Sequence, residues 1–442
     1  MSRKIGFWAV FALVIGSQIG SGVLMLPAGL AAYGGYSIAG WLISSVGAIA
    51  LALVFALLCS RLPHTGGPHV YVKAAFGNTA AFFTGWTYWV ISWVSTTAVI
   101  VACVGYLTPF IGDHSRTVYL GVELLLLLMI TLLNLKGVKT AGNAEFFLTL
   151  LKFIPLVLLP LIALYYFDTA HFVIDTSKAN LDTSQILGHV TLLTLWGFVG
   201  LETATTPAGS IENPSKTIPR AIVFGTICVA VLYIINSIAI MGLIPGQELM
   251  HSKAPYVDAA QRLFGSQWHL LISVIAAIVC IGTLNAWILT SGQIALGLAE
   301  DKLMPGFFAQ RNKTDAPIWG LMISSIGIVP LLILTANESL AQQIIAIIDF
   351  SVVAFLFVYL ICCFGFLKLL IQQDSKVNWP YCLCAFVAIV FCGWIIYETS
   401  LKTVAIASLF VVSGLPVYFF WFRQHVPISA PVPVPVSTRG EA

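Results

Sequence analysis

Apolar positions in this chain fall in long unbroken runs separated by short polar connections, the pattern of membrane spans. At about 20 apolar residues per bilayer crossing, segments lie near 5–32, 37–60, 80–110, 117–135, 143–166, 186–206, 219–243, 268–298, 317–335, 343–369, 380–397 and 403–422. These twelve, helices 1 to 12 in order, predict an all-α integral membrane protein with one domain over residues 1–426 and both termini on the same side. MSRK leads straight into the first run, too long for a cleavable signal core, so that run is expected to be retained. The stretch PISAPVPVPVSTRGEA at 427–442 is proline-rich and predicts a disordered tail.

Composition supports the pattern: 59% of the 442 residues are apolar and 9% are charged, against roughly 25% charged in soluble globular proteins. Lys and Arg set the orientation. Fifteen of the 21 fall on the side of the termini, five on the other, and Lys152 lies inside helix 5. The termini are therefore expected in the cytoplasm and the chain in the cytoplasmic (inner) membrane. The nine cysteines all sit in apolar runs without metal-ligand spacing, so they read as packing residues, not disulfides or a zinc site. A net charge of +3 spread over short loops gives no basis for nucleic acid binding. No cofactor or metal is expected.

Two of the runs carry their own interruption. Helix 1 contains GSQIGSGVLMLPA (residues 16–28), with a break expected at Gly20, Ser21 and Gly22, and helix 6 contains WGFVGLE (196–202), with glycines at 197 and 200. Breaks five helices apart match two inverted five-helix halves with a binding site at their interface. An unwound stretch exposes N–H groups at the start of one half-helix and carbonyls at the end of the other. A carboxylate at Ser21, Gly22 and Val23, and an ammonium at the carbonyls of Trp196 to Val199, would satisfy both ends of an α-amino acid. The alternative for the glycines alone is close helix packing.

The motifs GSGVLMLPA and YGG, then RLPHTGGPHVYVKAAFG, LWGFVGLETA, ENPSKTIPRAI and LNAWILTSGQIALGLAEDKLMPGFFAQRNKTDAP occur in this order. Together they resemble the amino acid–polyamine–organocation superfamily of transporters, nearest its arginine/agmatine antiporter type, over about residues 5 to 422. The resemblance implies a LeuT-like fold of ten core helices plus two, alternating access, and a homodimer for the antiporters. Matched position by position, Ser21 and Gly22 fall on the substrate-carboxylate residues, Trp196 on the gating tryptophan and Trp287 on the tryptophan that stacks on the guanidinium. Tyr88, Glu202 and Tyr359 fall on the distal, cytoplasm-side gate. A Trp face also attracts a cation by roughly 0.5–2 kcal/mol in its own right. Ser17, Thr96 and Val99 stand where the arginine/agmatine member has two asparagines and a methionine, so the side-chain end of the pocket departs from that member while the amino acid end does not.

Charged residues inside the spans add the remaining candidates. Glu202, whose burial costs roughly 2.5 kcal/mol or more, could accept a hydrogen bond across the gate, titrate, or oppose a cationic substrate. Lys152 resembles the helix 5 lysine of proton-coupled superfamily members, where the amine stands in place of a sodium ion; the alternative is snorkelling toward the cytoplasm. Asp349 in helix 10 is expected to face the bundle interior, Glu123 to be interfacial, and His69 to be a solvated loop histidine. His189 has no Asp or Cys three or four residues away, and no GxxxxGK[ST] phosphate loop exists, which argues against a membrane enzyme or an ATP-driven pump. The reading is a secondary transporter of a small amino acid or amine, an antiporter of a basic amino acid and its amine product. The alternative is a proton-coupled symporter or exchanger of neutral amino acids.

Overall fold

The computed structural model describes residues 4–112, 115–174, 182–252, 254–265, 268–334, 340–373 and 379–426. The proline-rich stretch 427–442 lies outside them. A helix occupies each of the twelve apolar segments: Phe7–Ala31 in two pieces, Tyr36–Arg61, Asn78–Ile111, Arg116–Leu135, Val138–Ala163, Thr183–Leu195 with its continuation, Pro214–Leu243, His269–Glu300, Ile318–Leu334, Leu340–Gln373, Trp379–Glu398 and Leu401–Val412 with its continuation. Eleven are long and apolar enough to cross a membrane, and helix 9, Ile318–Leu334, is shorter. Among the described residues the extended structure amounts to isolated bridges, so this is an all-α fold.

Helices 1, 3 and 6 are the most buried and helix 12 the least. Helix 3 runs along helices 8 and 10, helix 2 along helix 7, and helix 1 against helices 5, 7 and 8. This arrangement puts the two interrupted helices at the centre, where backbone groups freed from helical bonding can be met by protein and not by lipid.

The breaks differ from their expected form. Helix 1 stops at Gln18 and restarts at Ser21, so the unwound residues are Ile19 and Gly20, one step earlier than expected. Gly20 (φ −134°, ψ −143°) packs so closely on helix 8 that an added Cβ would lie 2.8 Å from Thr283. Ser21 and Gly22 therefore open the second half-helix, whose first N–H groups have no intrahelical partner. Helix 6 ends its α-helical part at Leu195, tightens to a 3-10 turn over Trp196–Phe198, and turns at Gly200 (φ +106°), which favours glycine. Beyond Gly200 it continues as short 3-10 turns, Thr203–Thr205 and Ala208–Ser210. Helix 6 is thus interrupted at WGFVGLE as expected, and beyond the break it runs as 3-10 turns, not as a second α-helix.

On the side of the termini, the start of helix 1 pairs with the end of helix 6. Ile5 N donates to Ser210 O at 3.0 Å and Glu212 N donates to Ile5 O at 3.0 Å. The two broken helices are in this way joined end to end as well as at their breaks.

Candidate functional site

The breaks enclose one cavity, lined by Ser17, Gln18, Gly20, Ser21, Gly22, Ser95, Val99, Trp196, Val199, Thr283 and Trp287. Its volume is about 20 Å³, room for on the order of one water. The site is closed down, and a substrate of amino acid size needs the surrounding helices to part.

The two breaks are stitched together through Ser17. Its hydroxyl donates to Gly200 O at 2.9 Å, within reach of Thr203 Oγ1 at 2.9 Å, while Tyr233 Oη donates to Gln18 O at 2.6 Å. Two polar atoms in the lining stay unmatched: Ser21 Oγ and Gln18 Oε1 are buried with no hydrogen-bond partner among the described residues. Buried polar atoms without partners are rare. Here they lie with the free end of a half-helix on one small cavity, the makings of a site for a polar ligand.

Two indoles form its walls. Trp196 sits over Gly22, with Cδ1 3.0 Å from where a Cβ would stand. Trp287 Nε1 donates to Ser17 O at 3.2 Å, and its ring lies 5.4 Å from that of Phe355. Phe355 is in turn 6.1 Å from Tyr359 and 6.0 Å from Tyr88. The aromatic wall so leads from the cavity to the gate candidates.

The structure brings the three gate candidates together. Tyr88 Oη donates to Glu202 Oε1 at 2.8 Å and Tyr359 Oη donates to Oε2 at 2.6 Å, with Glu202 fully buried. Helices 3, 6 and 10 are thereby closed on one carboxylate, on the terminal side of the break. Gly200 N also reaches Tyr359 Oη at 3.4 Å.

Other expected positions come out differently. Thr96 does not line the cavity: its hydroxyl donates to Ser92 O at 2.6 Å on its own helix, and Ser95 takes the cavity-facing place. Val23 is buried outside the lining too. His69 is not solvated. It is fully buried, with Nε2 3.2 Å from Asp301 Oδ2, while Lys73 Nζ lies 2.8 Å from Asp301 Oδ1. Burial pushes the Asp301 carboxyl up, but the hydrogen bonds and charges of His69 and Lys73 outweigh it and hold it at about 2. Glu123, near the outer end of helix 4, is fully buried in a two-pronged pair with Arg116 at 3.0 and 3.2 Å. Asp349 is part-buried in a cavity with His189 and Glu398, and its Oδ1 has no hydrogen-bond partner among the described residues. All nine cysteines are unpaired.

Lys152 is fully buried and turned inward, away from any snorkelling path. Its ammonium donates to Gly16 O at 3.0 Å and Ile19 O at 3.1 Å, at the end of the first half of helix 1. Glu145 stands beside it, a partner that the sequence reading passed over although the seven-residue spacing puts both on one helix face. Gln18, Ser95 and Thr283 in the lining were likewise missed; each is an ordinary polar residue until neighbouring helices place it.

The amino acid permease family model matches residues 5–428. The putrescine transporter PotE of Haemophilus influenzae is 30% identical over 423 residues, 95% of this chain and 97% of that protein. The cadaverine/lysine antiporter of Escherichia coli K12 is 27% identical over 433 residues, 96% of each chain. The family match takes in all twelve helices together with both breaks and the cavity between them, and this chain belongs to the amino acid permease family.

Proposed function

We propose that this protein is a secondary antiporter that exchanges a basic amino acid for an amine by alternating access. The observation that carries this reading is the closed cavity between the two breaks, with a free half-helix start and the Ser21 hydroxyl at one end and two indole faces on its walls. Similarity to a cadaverine/lysine antiporter and a putrescine transporter over nearly the whole chain supports cationic substrates. In this reading Ser21 and the backbone of Gly22 and Val23 receive the carboxylate, and the carbonyls from Trp196 to Val199 receive the α-ammonium. Trp287 faces the distal cation, and Trp196 closes over the bound molecule. The Tyr88–Glu202–Tyr359 cluster is the inner gate, and Lys152 couples the break in helix 1 to helix 5. The termini lie in the cytoplasm and the membrane is the cytoplasmic one, on the Lys and Arg distribution.

The test is counterflow in proteoliposomes preloaded with unlabelled lysine, cadaverine or putrescine, with labelled putrescine or lysine outside. Accumulation that depends on the preload is expected. If leucine drives counterflow and none of the cationic compounds does, the protein is a neutral amino acid exchanger instead.

A further inference from the structure

A second buried polar cluster lies directly behind the substrate cavity. Beyond its two carbonyl contacts, Lys152 Nζ is 3.3 Å from Thr283 Oγ1 and 3.5 Å from Glu145 Oε1, and neither Lys152 nor Glu145 has any exposure. Glu145 accepts from Asn285 Nδ2 at 2.9 Å on Oε2, and its Oε1 lies 3.2 Å from Thr149 Oγ1, whose one proton is shared between it and Ala12 O. Asn285 Oδ1 accepts from Asn134 Nδ2 of helix 4 at 3.1 Å. From helix 8 the buried Cys280 thiol also faces the ammonium. Helix 1 contributes only backbone carbonyls, those of Gly16 and Ile19 to Lys152 and that of Ala12 to Thr149.

Helix 1 is also the cover on the carboxylate. A Cβ placed on Gly16 would fall onto Glu145 Oε1 and Thr149 Oγ1, so the close approach of helix 1 needs glycine at this point. Seven residues separate Glu145 from Lys152, about 10 Å along a helix, with Glu145 nearer the end of helix 5 on the side of the termini. Lys152 borders the cavity through Thr283, which lines it and donates to Ile19 O at 2.6 Å. One group of the pair therefore adjoins the substrate site and the other lies toward the terminal side, covered by helix 1 at Gly16.

Two of the acceptors that hold the ammonium belong to helix 1, Gly16 O in its first half and Ile19 O in the break that follows it, and leave when that segment withdraws. What remains is a buried ion pair in poor contact, and moving one proton removes both charges from a low-dielectric interior. We propose that Glu145 receives the proton of Lys152 when helix 1 withdraws from helix 5, and releases it to water on the side of the termini. In the first step the ammonium and carboxylate become an amine and a carboxylic acid. In the second the uncovered acid loses its proton to water and becomes a carboxylate again. In the third, with helix 1 reseated, the amine takes a proton from the opposite side through the cavity past Thr283. One proton crosses per cycle, and only N–H and O–H bonds change. The inference rests on the alternating-access reading above for the movement of helix 1, and adds to it the coupling ion and its route.

The test uses full-length protein in proteoliposomes with a pH dye inside, comparing wild type, Glu145→Gln, Glu145→Asp and the double variant Glu145→Gln, Lys152→Met. Labelled putrescine counterflow is measured without a pH gradient, and putrescine uptake with one. In the wild type the gradient should accelerate uptake, and uptake should change the internal pH. Glu145→Gln should retain counterflow while losing both responses, and Glu145→Asp should recover part of them. In the double variant, which buries no lone charge and so guards against misfolding of the single one, whatever putrescine uptake remains should show neither response. Wild-type gradient and dye responses in Glu145→Gln or in the double variant overturn the proposal, and so does wild-type exchange of putrescine with no proton movement. If lysine, cadaverine and putrescine all fail in the wild type while leucine exchanges, the antiporter reading falls by itself. The dye response to leucine in wild type and Glu145→Gln then decides the proton route separately.

Discussion

At Gly22 the indole of Trp196 leaves room for a hydrogen atom and little else, since a Cβ would stand 3.0 Å from Cδ1. A β-branched side chain there displaces the indole and shields the first N–H groups of the second half-helix. Gly22→Val is expected to abolish substrate binding while the protein remains monodisperse on size exclusion, with binding read from thermal shift and counterflow. Trp287 offers a contrasting case, because its ring face can hold a cation while its Nε1 is tied to Ser17 O. Trp287→Leu keeps an apolar wall and removes the cation–π contact, so competition by arginine, agmatine or lysine should weaken by about two- to thirtyfold. Competition by leucine should change little. Both residues were legible in the sequence because each stands inside a motif. Ser95 was not, because a helix alone does not tell which of Ser95 and Thr96 turns to the cavity.

Between elements, the seam of helices 1, 5 and 8 is held by one ammonium. Lys152→Met removes two hydrogen bonds to helix 1 and leaves the Glu145 carboxylate buried without its counter-charge. Breaking such a pair costs roughly 3–5 kcal/mol, so this variant should unfold at a clearly lower temperature and lose most transport, and added sodium should restore neither. A different latch, outside the membrane spans, joins the short helix Pro68–Phe76 to the end of helix 8 through Asp301. Its carboxyl is held at about 2, below the ordinary 3.8. A depressed pKa contributes stability that is fully present above the unfolded value and is lost as pH falls through the folded one. The difference in thermal stability between wild type and Asp301→Asn should therefore hold from neutral pH down to about 4 and shrink as pH falls toward 2. His69 read as a loop residue because its neighbours, Gly66 and Gly67 among them, are turn formers; helix 3 at Gly85 and Asp301 at the end of helix 8 make it a buried one.

For the molecule as a whole, the Lys and Arg bias predicts that a fluorescent protein fused after residue 426 will fluoresce, and that alkaline phosphatase at the same place will be inactive. The opposite pair of signals inverts the topology and the assignment of Glu202 to the inner gate. The twelve apolar helices, the helical class and the existence of two breaks could be read from sequence alone, because each depends on local quantities: the run length of apolar residues, the depletion of charge, and glycines where a helix must open. Partnership was decided by the tertiary structure. Nothing local pairs His69 with Asp301 or Lys152 with the carbonyls of helix 1, whereas Arg116 with Glu123 and Lys152 with Glu145 passed unnoticed although each pair stands seven residues apart on one helix face. In an apolar interior a polar group is stable only where another meets it, and which groups meet is settled by how the helices pack.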